Sequence, residues 1–250
     1  MEFRQIFDAI PEQFDKWRPR YCKEAFADLA AYAGLGSGKT VLEIGPGTGQ
    51  ATEPVLQTGC QYVGIELGGH LAGFMREKFR HYCNFRLING DFIIYPFAEN
   101  TFDLVYSAAT IQWIPEEIAF SKVYALLKNG GTLAMMLTSS DEKSENERLY
   151  AEIQKAYDLY FHPEINYTQK FTYQNAVSYG FRDLERREYP MRRTLCADDY
   201  IAYIGTHCTH ITLKDPDRTK FYNAIRRAIE NAGGQIMIRD TVVLYLAHKP

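Results

Sequence analysis

Between residues 38 and 140 short apolar runs alternate with amphipathic stretches, and no other feature of the chain restricts its fold as strongly. Val41-Leu42-Glu43-Ile44, Gln61 to Glu66, Phe85 to Ile88, Phe102 to Tyr106 and Thr132 to Leu137 read as strands. Runs this short and this apolar are buried on both faces, as in a parallel sheet. Between them apolar residues recur at helical spacing. One such stretch is Ala51 to Gln57; another places Leu67, Leu71, Phe74, Phe79 and Tyr82 on a stripe edged by Lys78. A third holds Ile118, Val123, Leu126 and Leu127, with Asn129-Gly130-Gly131 as the expected helix stop. Parallel strands need crossover helices, so the pattern predicts an α/β chain with a doubly wound, mostly parallel sheet.

The rhythm changes after Ser140. Residues 141–160 read as a polar amphipathic helix, Thr172 to Gly180 as a short helix, and Leu184 to Leu195 as a strand. Asp198-Asp199 opens a helix, Arg218 to Asn231 forms another, and Thr241 to Leu246 makes a last, antiparallel strand, seven in all. Without a linker or an internal repeat, we expect one domain over 1–250. Its parts would be an N-terminal helical lid (1–37), a ligand-binding core (38–140), a helical, aromatic substrate cap with the sixth strand (141–215), and a last helix and strand (216–250).

The 28 Lys+Arg against 31 Asp+Glu, a net charge of −3, argue against a chain that grips a phosphate backbone, so no nucleic-acid partner is expected. The first twenty residues lack the apolar stretch of a secretion signal, and no run approaches the ~18 apolar residues of a membrane span. Five scattered cysteines read as reduced thiols. A cytoplasmic chain with no membrane partner is the expectation.

Two glycine-rich stretches lie side by side. Gly34 to Thr40 ends like a phosphate-binding loop, but it is one residue short and precedes a strand instead of following one. The second, Gly45-Pro46-Gly47-Thr48-Gly49, follows a strand and precedes a helix, where open α/β sheets bind ligands. Its spacing is G-x-G-x-G, and Pro46 removes one N–H from the loop. Glu66 ends the second strand about twenty residues on, where an acid accepts hydrogen bonds from ribose hydroxyls. Asp91 follows the third strand and is suited to accept from an adenine amine, with Phe92 beside it to stack on the ring. Three acids, Glu43, Glu66 and Asp91, thus end successive strands.

Together these segments resemble the class I S-adenosylmethionine-dependent methyltransferases. Val41 to Gln50 is similar to their first motif, Val63 to Leu67 to the second, Gly90-Asp91-Phe92 to the adenine-binding position, and Phe102 to Ala108 to the fourth-strand motif. Leu126 to Leu133 is similar to the last, with Asn129 where the family usually has proline. A narrower similarity, to the trans-aconitate and malonyl-carrier-protein type of small-acid methyltransferases, rests on Ala108 to Trp113 followed by Pro115, on Gly49 to Thr52, and on Gly233 to Ile236. Trp17-Arg18-Pro19-Arg20-Tyr21 resembles a segment that packs over the cofactor in many relatives. The resemblance implies a Rossmann-like fold, S-adenosyl-L-methionine as cofactor, S-adenosyl-L-homocysteine as product, and a small-molecule acceptor, a carboxylate or another O or N nucleophile. It implies cofactor contacts from Tyr21, Glu43, Gly45, Pro46, Gly47, Thr48, Gly49, Glu66, Leu67, Asp91, Phe92, Ser107 and Ala108. The place where amine methyltransferases of nucleobases or glutamine carry Asn/Asp-Pro-Pro-aromatic reads Ser107-Ala108-Ala109-Thr110, and no Pro-Cys pair exists for cytosine chemistry.

Tyr21, Gln112 and Trp113 are candidates to frame the reaction centre. Residues 150–181 hold nine aromatics in 32 positions, about double the chain average of 14%, as a partly wet pocket wall would. From them Tyr160, Phe161 and Tyr167, with Trp113, are candidate substrate contacts. Arg193 is a candidate carboxylate clamp, and His207 and His210 are candidate proton carriers. His207-Cys208-Thr209-His210 has too few ligands for a metal site, and no metal is expected. A nicotinamide-dependent oxidoreductase and a non-catalytic S-adenosylmethionine-binding protein stay open as alternatives.

Overall fold

The computed structural model describes residues 3–163 and 171–250. The chain begins with a 3₁₀ turn (Phe3–Ala9), then α1 (Pro11–Trp17) and α2 (Lys23–Ala33). The alternating core follows as β1 (Thr40–Ile44), α3 (Thr52–Leu56), β2 (Gln61–Glu66), α4 (Gly69–Phe79), β3 (Phe85–Asn89), β4 (Phe102–Ala108), α5 (Glu116–Leu126) and β5 (Leu127–Asp141). A 3₁₀ turn, Ile111–Trp113, follows β4. The remainder comprises α6 (Glu147–Tyr160), a 3₁₀ turn (Tyr173–Tyr179), β6 (Arg182–Cys196), α7 (Ala197–Ile204), α8 (Cys208–Ile211), α9 (Asp217–Asn231) and β7 (Gln235–His248).

The seven strands form one sheet in the order β3-β2-β1-β4-β5-β7-β6. The first five are parallel, and β7 runs antiparallel to both β5 and β6. This is the doubly wound α/β architecture expected of the alternating pattern, antiparallel last strand included. The strand order reverses between β1 and β4, so their C-terminal ends open a crevice there. The fully buried Val41, Leu42 and Ile44 explain why β1 carries an almost unbroken apolar run. The edge strand β6 is covered on one face only and alternates.

Apolar residues collect on both sheet faces and in a third cluster. Leu42, Phe120, Val123 and Phe181 belong to one face; Val41, Leu56, Tyr62 and Phe79 belong to the other. The third cluster joins Leu149 and Ile153 of α6, Tyr200 and Ile204 of α7, and Phe221, Ile225 and Ile229 of α9. The cap helix α6 and the last long helix therefore share one core.

The stop of α5 differs from expectation. The helix ends at Leu126, because Leu127 already has extended geometry (ψ 140°) and pairs with Phe102. The next pair is Leu104 with Thr132, so Lys128 to Gly131 bulge out of β5, and Gly130 takes the left-handed φ of 74° that this turn needs. Asn129-Gly130-Gly131 is a strand bulge and not a helix cap. Likewise the long helix after Ser140 starts only at Glu147. No helix among the described residues is long and apolar enough to cross a membrane.

Phe120 is fully buried against the rings of Phe171, Tyr179 and Phe181. Phe120→Ala should cost about 3–5 kcal/mol of stability in urea unfolding; a loss under about 1 kcal/mol would show that this cluster is not tightly packed.

Candidate functional site

A cavity of about 340 Å³ opens at the strand reversal. Its floor is the C-terminal ends of β1, β2 and β4, its roof is the N-terminal segment, and its far wall includes Tyr173 and Tyr203. Of the residues singled out in the sequence, Tyr21, Glu43, Gly45, Pro46, Gly47, Glu66, Leu67, Asp91, Phe92, Ala108, Gln112 and Trp113 all line it.

The glycine loop owes its shape to its neighbours. Gly45 has a φ of 63°, and a Cβ there would lie 2.1 Å from the Thr110 methyl group. The Thr110 hydroxyl donates to the Gly45 carbonyl at 2.8 Å, so the turn after β4, which includes Ala109 at a φ of 56°, buttresses the loop. The Gly47 N–H donates to Glu66 Oε2 and the Gly68 N–H to Glu66 Oε1, both at 2.9 Å. Each carboxylate oxygen keeps further acceptor capacity. Burial pushes the Glu66 carboxyl up to about 7, with Asp8 and Glu43 adding repulsion, while the two N–H groups pull the other way.

Glu43 is 1% exposed. Its Oε2 accepts the hydroxyls of Thr52 (2.6 Å), Tyr62 (2.6 Å) and Tyr106 (2.7 Å). Its Oε1 is buried without a partner among the described residues. Desolvation holds this carboxyl above the usual range against those three hydroxyls. A buried acceptor with no donor is costly unless a ligand supplies one. Asp91 differs from the simple expectation of an open acceptor. Arg4 donates to both its oxygens, at 3.2 and 2.9 Å, and the Ile93 N–H adds a third contact. Desolvation pushes its carboxyl up, but Arg4 and the Ile93 N–H outweigh that and hold it low. The Phe92 ring carries Lys122 Nζ at 5.1 Å.

Gln112 Oε1 accepts the Tyr173 hydroxyl at 3.2 Å, and Trp113 meets Phe7 edge-on at 5.8 Å. Burial raises the Tyr21 phenol well above its ordinary value, against the pull of Arg18.

Other expected contacts lie outside the cavity lining. Thr48 is fully buried and accepts the Gln50 amide; Gly49 faces the Phe79 ring, which its Cβ would meet at 2.3 Å. The Ser107 hydroxyl is spent on the Ile44 carbonyl and the Ile111 N–H. Phe161 packs on His210 and Phe221, and Tyr160 packs against the same cluster, because the amphipathic face of α6 is used to close that core. His210 shares a 2.9 Å hydrogen bond with the Tyr157 hydroxyl, and burial lowers its pKa to about 4. His207 is held low by burial, Arg18 and His210. Both rings are neutral packing groups near pH 7 and do not reach the cavity. Arg193 is bound to Asp240, itself 1% exposed, and lies 4.4 Å over the Tyr203 ring, so it is not an open clamp. Tyr167 lies outside the described residues. No metal-holding group of His, Cys, Asp or Glu occurs among the described residues.

The roof residues Arg4, Phe7 and Phe14 were not foreseen, nor were Thr110 and Tyr203. Arg4 reaches Asp91 across 87 positions, which no local pattern signals.

In comparison with known proteins, residues 42–135 match the methyltransferase-domain family. Sterol 24-C-methyltransferase from Pneumocystis carinii is 37% identical over 123 residues, covering 46% of this chain and 33% of that protein. The chain spans about a third of the length of the sterol methyltransferases it matches. A putative methyltransferase from Bacillus halodurans superposes with a TM-score of 0.59 at 18% identity, over 90% of this chain and 98% of that one. Phosphoethanolamine N-methyltransferase 2 from Haemonchus contortus, solved with phosphomonomethylethanolamine and S-adenosylhomocysteine, gives 0.59 at 17% over 100% and 60%.

In the ligand-free protein, the Glu66 side-chain carboxyl should titrate near the pH of about 7 set by its burial, measured by carbon-13 NMR. An unfolded Glu titrates at about 4.3, so the folded chain favours the protonated form. The stability this contributes is complete below about 4.3 and lost as pH rises through about 7. A midpoint in the ordinary carboxylate range would contradict this environment. The fold is that of the class I methyltransferases, and residues 42–135 match a methyltransferase domain.

Proposed function

We propose that the chain transfers a methyl group from S-adenosyl-L-methionine to a small-molecule acceptor, in the manner of the small-acid methyltransferases of the trans-aconitate and malonyl-carrier-protein type. The observation that carries this reading is the convergence of Glu43, Glu66 and Asp91 with Gly45 and Gly47 on one cavity. The orphaned Glu43 Oε1 suits the ammonium of an amino-acid end. The remaining lone pairs of Glu66 suit ribose hydroxyls, and Asp91 with Phe92 flanks the place of an adenine. Arg4 on Asp91 narrows that place and must share the carboxylate with an incoming amine or yield to it.

The cofactor supplies a methyl group on a positively charged sulfur, which passes in line to a nucleophile. The chain's residues contribute position and dryness. Phe7, Trp113, Tyr21 and Tyr173 wall the cavity with rings that exclude water. Gln112, whose Oε1 accepts the Tyr173 hydroxyl, lines the cavity beside Trp113 and helps to shape the acceptor's place. The raised pKa of Tyr21 keeps its phenol protonated, so it donates and does not act as a base.

S-adenosylhomocysteine should bind the wild-type protein and stabilise it in a thermal-shift assay, whereas NAD(H) should do neither. Glu66→Ala should weaken S-adenosylhomocysteine binding at least about tenfold by calorimetry; unchanged affinity, or stabilisation by NAD(H) instead, would overturn the assignment. Because the ribose hydroxyls donate to the ionised carboxylate, affinity should fall as pH drops below about 7. Release of S-adenosylhomocysteine during a screen of small carboxylic acids, phenols and amines tests turnover.

A further inference from the structure

Three polar side chains from three neighbouring strands form a line across the sheet that ends at the cavity. Arg193 of β6 is paired with Asp240 of β7, and the Ser140 hydroxyl of β5 donates to Asp240 Oδ1 at 2.6 Å. Ser140 and Asp240 are direct cross-strand partners, so the register itself sets the hydroxyl beside the carboxylate. Asp240 is buried, and the Tyr203 ring of α7 lies over the Arg193 guanidinium. Ser140 and Tyr203 line the cavity, whereas Asp240 and Arg193 stand behind it. A buried ion pair is weak ground for stability; this one fixes the direction of a proton.

That direction follows from the buried end of the line. A carboxylate held by a guanidinium only accepts hydrogen bonds. Ser140 has a single proton and gives it to Asp240. The 3.4 Å contact between Ser140 Oγ and the Tyr203 hydroxyl must then use the Tyr203 proton. Ser140 keeps a lone pair and has no proton to offer the cavity. A polar ligand group beside it is satisfied only if it brings an O–H or N–H.

Topology sets this wall apart from the cofactor's anchors. Glu43, Glu66 and Asp91 stand at or just past the ends of β1, β2 and β3, on one side of the strand reversal. Ser140 stands on β5, beyond β4 on the other side, and at two strand spacings β5 runs about 10 Å from β1. The volume over β5 is the part of the cavity left for the acceptor.

We propose that Ser140 Oγ accepts a hydrogen bond from an O–H or N–H of the methyl acceptor, with Asp240 and Arg193 as positioning residues behind it. The cavity thereby selects acceptors that carry a hydroxyl or amine over isosteres that lack a donor. The inference rests on the methyltransferase reading.

Ligand-observed NMR titrations of the S-adenosylhomocysteine-loaded protein test it with 1-phenylethanol and cyclohexanol against acetophenone and cyclohexanone, the ketones of the same heavy-atom skeletons. At least one alcohol should bind about fivefold or more tightly than its ketone, and Ser140→Ala should abolish that preference. In Asp240→Asn the side-chain amide donates to Ser140 and frees the serine proton, so the preference should shift toward the ketone; a packing role alone would weaken both partners alike. S-adenosylhomocysteine affinity should change less than about threefold in Ser140→Ala, a check that the variant is folded and loaded. Equal binding of alcohols and ketones, no binding of either alcohol, or a preference unchanged in Ser140→Ala overturns the proposal. So does an about tenfold loss of S-adenosylhomocysteine affinity in Ser140→Ala with unchanged affinity for 5′-methylthioadenosine, which lacks the amino-acid end; Ser140 would then serve the cofactor's own ammonium. Failure of the wild-type protein to bind S-adenosylhomocysteine would instead count against the methyltransferase reading itself.

Discussion

Everything at the crevice depends on how one buried carboxylate is held. Glu43 sits on β1, flanked by β2 and β4, and both neighbours send it a tyrosine hydroxyl, from Tyr62 and Tyr106. Thr52, at the start of α3, sends the third. A carboxylate in a sheet interior is strongly disfavoured unless hydrogen-bonded. Here the three donors converge on one oxygen and leave the other, also buried, without a partner among the described residues. The arrangement ties β1, β2, β4 and α3 together behind the glycine loop. It also stores an unmet acceptor at the place where a cationic ligand group would be most favoured.

The roof obeys a similar logic at lower burial. Arg4 clasps Asp91, Asp8 caps the start of α4 through the His70 and Leu71 N–H groups, and Lys78 reaches Asp15 at 2.7 Å. These contacts pin the N-terminal segment over the cavity, beside Asp91 and the start of α4. Because they are partly exposed, each adds little stability by itself. Several weak, water-accessible contacts hold this segment in place, so local opening there should cost little.

The parts of the molecule legible in the sequence are those where local pattern and burial coincide. β1 to β4 and the loop at Gly45 and Gly47 combine apolar runs with glycines that the observed backbone needs. Glu66 and Asp91 were legible because strand ends are fixed by those runs. The bulge at Lys128 to Gly131 was not, since Asn-Gly-Gly satisfies a helix stop as readily as a strand irregularity. The aromatics at the end of α6 are ambiguous for a different reason. Phe161 and Tyr160 show the spacing of a pocket wall and of a core face alike, and packing against Phe221 of a distant helix decides between them. His207 and His210 followed them into that core. Arg4 and Phe7 carry no periodic signal, and their contacts exist only once the chain has folded back on itself.

A crystal structure of the protein grown with S-adenosylhomocysteine tests the central claim most directly. The account predicts the ribose hydroxyls on Glu66, the adenine beside Phe92, and the amino group within hydrogen-bonding distance of Glu43 Oε1. A ligand bound elsewhere, or bound in this cavity with Glu43 Oε1 still lacking a donor and Glu66 untouched, would contradict it.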